Sequence, residues 1–256
     1  MLKEMLTGMP GYSVIQRWLT PNRYSRPQRP IIKIKGIVIH WVAVPNGRAE
    51  GVYNFFENRK YGKNDFGSAH EVIDLDGSII QMIPPNEMAY AVGAYKYTQK
   101  ALNELSSYPN DCTYSIECCH VDWDGTMTAT TYNTLVTRCV DLCTQWGLDP
   151  LRNLWLHYEI TGKDCHRWFV NHPDEWAKFK QLVADHKNNK VEEMVTVAIE
   201  EWQKEIGIKA VQELASNENR LISNPEEWIA RIAENTPNWL FFEMLRRLNA
   251  KINKIK

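Results

Sequence analysis

An α/β fold, with a central mixed β-sheet flanked by helices and a small all-helical C-terminal domain, follows from three features of this 256-residue sequence. The run Ile37-Val38-Ile39-His40 is almost continuously apolar up to its last residue. That is the pattern of a strand covered on both faces, and so central to its sheet. Two β-rich runs, Ser68 to Ile73 and Ser78 to Ile83, flank Asp74-Leu75-Asp76-Gly77. Asp-Gly between such runs signals a hairpin, which puts an antiparallel pair into the same sheet. Beyond residue 190 every apolar stripe repeats at helical spacing.

Taken in order, residues 1–30 are rich in Pro, Arg and Tyr without a period, and Tyr12, Val14, Ile15, Trp18 and Leu19 give them apolar anchors. An extended arm packed along the domain is expected. Ile31 to Trp41 is the first strand, and Ala49 to Lys60 reads as a helix with Val52, Phe55 and Phe56 on one side, ended near Gly62. After the hairpin, residues 84–111 are irregular, with a short helix from Gln99 to Leu105; so long a loop in a compact domain is usually functional. Cys112 to Val121 is a strand whose alternation puts Ser115, Glu117 and Cys119 on one face. Thr128 to Trp146 is a helix, capped by Thr128 or Thr130 and ended by Gly147. Leu154 to Trp168 reads as a short strand-then-loop segment with His157 at the strand end, and Pro173 opens a helix buried through Trp176, Phe179, Leu182 and Val183. The polar stretch Asp185-His186-Lys187-Asn188-Asn189-Lys190 reads as a boundary. The domains are therefore an arm (1–30), an α/β domain (31–186) and a helical unit (191–256). In the last, Val191, Met194, Val195, Ala198, Trp202 and Ile206 form one stripe, Asn224-Pro225 and Thr236-Pro237 open two helices, and Phe241, Met244, Leu245, Leu248 and Ile252 form the final stripe.

The composition is 44% hydrophobic and 24% charged with a net charge of -1, which provides no whole-molecule field toward nucleic acid. Residues 1–35 are locally basic, with seven Lys/Arg against Glu4 alone, read as a solvated arm in preference to a polyanion-binding one. No apolar run approaches the ~20 residues of a membrane span, and residues 1–7 lack the apolar core of a signal segment, so synthesis and folding in a cytoplasm are expected. The six cysteines lie in strand-like or helix-like apolar patterns, not in a disulfide framework. Cys139 and Cys143, four apart, suit a core stripe better than a metal pair.

The chemistry concentrates in residues 154–168. His157 ends an apolar run, and the Thr161-Gly162 turn can fold the chain back so that Cys165 meets the same ion. His40, at the end of its own strand, is the best third ligand. Two imidazoles and a thiolate suit zinc, which in catalytic sites takes three protein ligands and leaves one position to water. The spacing alone is weak, and a His or Cys in an apolar strand is more often simply packed. His70 competes with His40 as a ligand, or serves as a substrate contact or a support to the ligands. Glu117, a charge within Tyr114-Ser115-Ile116-Glu117-Cys118-Cys119, is costly to bury unless it faces a cleft or an ion; the competing reading is an exposed edge. Lys163 could reach a developing oxyanion, or be a plain surface lysine.

The order Ile37-Val38-Ile39-His40, Ser68-Ala69-His70 before the hairpin, Ser115-Ile116-Glu117, Leu156-His157 and Gly162-Lys163-Asp164-Cys165 resembles the zinc-dependent type 2 N-acetylmuramoyl-L-alanine amidases, the family of phage endolysins, bacterial autolysins and peptidoglycan recognition proteins. It covers about residues 31–185. The resemblance implies Zn²⁺ on His40, His157 and Cys165, Glu117 as general base and Lys163 at the oxyanion, with peptidoglycan as substrate and Trp41, Tyr90 and Trp123 as sugar or peptide contacts. His166 stands where such enzymes often have Pro, and Ala69 where some have Tyr. Action on the cell wall after holin-type or lysis-dependent release is implied, without membrane insertion or nucleic-acid binding. Residues 191–256 are expected to target the wall or to pair two chains as a homodimer. The alternatives are a binding-only recognition module, against which Cys165 argues because such modules commonly lack it, and an intracellular amidase recycling soluble muropeptides.

Overall fold

The computed structural model describes residues 11–62, 65–195, 201–216 and 223–230, together with Arg246 and Ala250. The chain divides into two units, Met1–Lys187 and Asn188–Lys256. In the first, six strands form one mixed sheet: β1 (Val14–Gln16), β2 (Gly36–Trp41), β3 (Glu71–Ile73), β4 (Ile79–Gln81), β5 (Thr113–Cys118) and β6 (Leu154–Leu156), in the spatial order β1-β4-β3-β5-β2-β6. Only β3 and β4 pair antiparallel; every other neighbour is parallel. The hairpin turns at Gly77, whose φ of +81° and whose Cβ position, 2.6 Å from Thr134 Oγ1, leave room for no side chain.

Strand β2 is buried along its whole length because it lies between β5 and β6 with side chains packed on both faces. One face carries Ile37 and Ile39 into the large core with Tyr114, Ile116 and the helix Ala129–Trp146. That helix starts at Thr128, whose side chain accepts from the Thr131 N–H at 2.9 Å, and stops at Gly147 in the left-handed region. Its Arg138 reaches the sheet to grip Glu71, which is fully buried, and the Tyr114 hydroxyl donates to the same carboxylate. Removing one partner of such a buried pair typically costs about 3–5 kcal/mol, so this clamp holds β3 and β5 against the helix.

Three local expectations are corrected, and a fourth, the boundary, gains a helical backbone. The arm is more than a packed extension, since Val14–Gln16 joins the sheet edge through β4. The chain after β6 is a short helix, His157–Thr161, instead of a loop. Phe55 and Phe56 do not share a side: Phe56 is buried, while Phe55 is 59% exposed, because neighbours on a helix diverge by about 100°. The stretch Asp185 to Lys190 is helical, within a helix running from Pro173 to Val195. Its residues are polar but include no helix breaker.

In the second unit, helices Glu201–Ala215 and Pro225–Ala230 bury Ala210, Val211 and Leu214, with Ile208 and Ile229 packed on them. The expected helix at Thr236-Pro237 and the stripe from Phe241 to Ile252 lie outside the described residues, as do Trp239 and Phe242. No described helix is long and apolar enough to cross a membrane.

Candidate metal centre

Three strands, β2, β5 and β6, run parallel, so their carboxyl ends share one edge of the sheet, the edge where open α/β sheets bind ligands. His40 stands near that end of β2 and faces Glu117 of β5 in register. Because Ile39 pairs with Leu156, the next residue of each strand brings His40 beside His157, their rings 4.8 Å apart between centroids. Gly162, at φ +80°, then turns the chain back. The Tyr158 N–H donates to the Cys165 carbonyl at 2.8 Å, which fixes that return.

The donor atoms of His40, His157 and Cys165 consequently lie within 4.8 Å of one another, all three residues buried. Cys165 Sγ is 3.6 Å from His40 Nδ1. A tetrahedral zinc, with bonds of about 2.0 Å to nitrogen and about 2.3 Å to sulfur, separates such donors by about 3.6 Å. His157 Nδ1 and Glu117 Oε2 are each buried without a hydrogen-bond partner, a costly arrangement in a protein interior unless a ligand is meant to satisfy it. The residues therefore fit a zinc ion.

The electrostatics point the same way. Burial lowers His157 to about 4, with the Lys163 charge adding to it, and burial first and His157 next hold His40 well below its usual value. Both imidazoles are thus neutral, the form that ligates. Burial pushes Glu117 up to about 8, against the opposing pull of Lys163, and pushes Cys165 up to about 12, with the Glu117 charge next in importance. A carboxyl and a thiol held in their uncharged forms mark a desolvated pocket. A dication would reverse both shifts.

These five residues open onto one cleft of about 1260 Å³, whose lining includes His40, Glu117, His157, Lys163 and Cys165, with Trp41 and Tyr90 among its walls. Two other sequence candidates do not line it. His70 is wholly buried with both ring nitrogens engaged: Nδ1 accepts from the Ser115 N–H at 3.0 Å and Nε2 donates to the Glu87 carbonyl at 2.9 Å, the tautomer that pair of partners requires. It is a strut between β5 and the loop at Glu87, with no lone pair left for a metal. Trp123 is 64% exposed, and its carbonyl accepts from Arg167. Among the described residues all six cysteines are free and buried, and Cys139 and Cys143 belong to the large core. Other residues that line the cleft, Phe55, Phe66, Arg29, Arg59 and Tyr108, escaped sequence reasoning. The available signal was Phe55, an aromatic next to the buried Phe56 on a helix that can bury only one of them.

The family model described as N-acetylmuramoyl-L-alanine amidase matches residues 28–173. A probable N-acetylmuramoyl-L-alanine amidase of Bacillus licheniformis is 29% identical over 170 residues, 66% of this chain and 47% of that protein. An N-acetylmuramoyl-L-alanine amidase of Bacillus subtilis is 28% identical over 172 residues, 65% of this chain and 45% of its own. The chain thus spans about half the length of these curated relatives. Among solved structures, a mutant endolysin from Bacillus subtilis superposes with a TM-score of 0.52 at 21% identity, over 68% of this chain and 99% of that one. The Staphylococcus aureus hydrolase AmiA, in complex with its ligand, gives 0.52 at 18% identity, over 72% of this chain and 86% of that one. The two structures share the fold of the first unit. On the extent of the family match, the chain belongs to the N-acetylmuramoyl-L-alanine amidase family.

Proposed function

We propose that this chain is a zinc-dependent peptidoglycan hydrolase that cleaves the amide joining the lactyl group of N-acetylmuramic acid to L-alanine of the stem peptide. The observation that carries the reading is the convergence of His40, His157 and Cys165 in one cleft with Glu117, whose Oε2 is buried without a hydrogen-bond partner. When bound, zinc supplies Lewis acidity and brings the pKa of a ligated water to about 7. Positive charge beside Glu117 favours its carboxylate, which turns a group held neutral by burial into a base. Glu117 then takes the proton of the attacking water as its oxygen bonds to the amide carbon, and returns it to the L-alanine nitrogen as the C–N bond breaks. Lys163, on the cleft wall, offers positive charge to the carbonyl oxygen as it becomes an oxyanion. Trp41 and Tyr90 are the proposed sugar or peptide contacts, a reading supported by their place in the cleft lining.

The wall is the proposed site of action after release from the producing cell. Residues 191–256 are proposed to hold the enzyme on its polymer or to pair two chains, and tethering of that kind raises local substrate concentration without altering the chemistry. The test of the reaction is digestion of purified cell walls. New N-terminal alanine without new reducing sugar is expected, and new reducing ends alone would identify a glycosidase instead.

A further inference from the structure

The ring of His157 is buried against His40 without a hydrogen bond at its Nδ1, so its direction depends on that packing and on the backbone that carries it. That backbone begins the five-residue helix His157–Thr161, far too short to be stable by its own propensity. The Glu159 side chain does most to secure it. The Glu159 carboxylate accepts from the Leu156 N–H at 2.9 Å, closing the first turn back onto the end of β6, and the same oxygen accepts from Trp176 Nε1 at 3.2 Å. Its other oxygen lies 3.3 Å from Lys100 Nζ, while the Glu159 carbonyl accepts from Thr98 Oγ1 at 2.7 Å. Lys100 in turn sits 4.4 Å over the Trp155 ring of β6. Glu159 therefore joins the strand end, the helix Gln99–Glu104 and the long helix from Pro173 at the point where His157 leaves the sheet.

We infer that Glu159 is a positioning residue for the metal centre: its carboxylate fixes the turn that aims His157 at His40 and Cys165. The inference rests on the zinc reading above. A ligand aimed by its backbone and ring packing, with no hydrogen bond at Nδ1, loses its direction when the turn relaxes. The Tyr158 N–H bond to the Cys165 carbonyl passes that displacement to a second ligand. Glutamine can still accept from the Leu156 N–H, as it does in other capping boxes, but it brings an N–H₂ group to an oxygen position that faces Lys100. Alanine removes every contact of the carboxylate.

The test uses the full chain, with zinc affinity measured by chelator competition, the visible spectrum of the cobalt-substituted protein, and thermal unfolding of the metal-free form. Relative to wild type, about a 10-fold loss of zinc affinity is expected for Glu159→Gln and about 100-fold for Glu159→Ala, the range found for groups that orient metal ligands. Altered cobalt bands should accompany both. Trp176→Phe, which removes the indole donor and keeps a smaller aromatic ring, should show a smaller loss in the same direction. Wild-type affinity and an unchanged cobalt spectrum in Glu159→Ala would overturn the inference, whatever happens to the unfolding temperature. Should that variant fail to fold, the same result in both gentler variants overturns it. A wild-type protein that binds no zinc overturns the metal reading first, and this inference with it.

Discussion

Glu117→Gln in the metal-free protein should raise stability at neutral and alkaline pH, at the expense of the reaction. Burial moves the Glu117 carboxyl from 4.5 to about 8, so the folded protein binds this proton more tightly than the unfolded chain does. The sign follows from that. A group whose folded pKa is raised contributes its full stability below the unfolded value and loses it as pH climbs toward the folded value. The window is therefore about pH 4.5 to 8, and a shift of that size is worth at most about 5 kcal/mol at 1.36 kcal/mol per pKa unit. Glutamine has nearly the same shape and no charge to bury. Denaturant unfolding of both metal-free proteins between pH 5 and pH 9 is the assay. The stability difference between variant and wild type should be near zero at pH 5 and should favour the variant by a few kcal/mol above pH 8. The buried histidines titrate in both proteins and cancel in the difference. Zinc should flatten the wild-type slope, because a dication favours the carboxylate. Parallel pH curves for the two metal-free proteins would refute the claim that Glu117 is a desolvated carboxyl maintained for chemistry.

Lys163→Ala should retain zinc and lower turnover on walls by about 10²–10³-fold, the cost of losing one oxyanion-stabilising group, and a wild-type rate would return Lys163 to the surface. Glu117→Ala should likewise keep the ion and lose about 10²–10⁴-fold in rate, a combination that equilibrium dialysis and a release assay separate cleanly. Arg138→Met, by stranding Glu71 in the core, should cost about 3–5 kcal/mol in denaturant unfolding; a loss below about 1 kcal/mol would mean that the pair contributes little. A chain ending near Asn188 should keep zinc and cleave a small soluble muropeptide while sedimenting less with whole walls, and equal sedimentation would remove the targeting proposal.

The sheet was legible because its signals are local. A continuous apolar run marked β2 as central, and Asp76-Gly77 marked the hairpin. His40 and Glu117 were legible for a related reason, as polar residues at the end of, or within, runs that otherwise bury everything. Other elements had no local signal strong enough. The helix His157–Thr161 is shorter than two turns, and only the Glu159 carboxylate three residues after Leu156 hints at it. His70 misled because a histidine on a strand looks the same in sequence whether it meets a metal or two backbone groups; its partners at Glu87 and Ser115 are 17 and 45 residues away. The polar run Asp185 to Lys190, read as a boundary, contains the division between the two units but is itself helical, because polarity alone does not end a helix. Other parts of the cleft lining come from the helix Ala49–Glu57 and from loops near Phe66 and Tyr108, segments distant in sequence that only the folded chain brings together.

X-ray absorption at the zinc edge of the purified full-length protein tests the central claim most directly. The account predicts about one zinc per chain, with one sulfur at about 2.3 Å and two imidazole nitrogens at about 2.0–2.1 Å, and loss of the sulfur signal in Cys165→Ala. A zinc shell without sulfur in the wild-type protein, or no zinc after exposure to the ion, would contradict it.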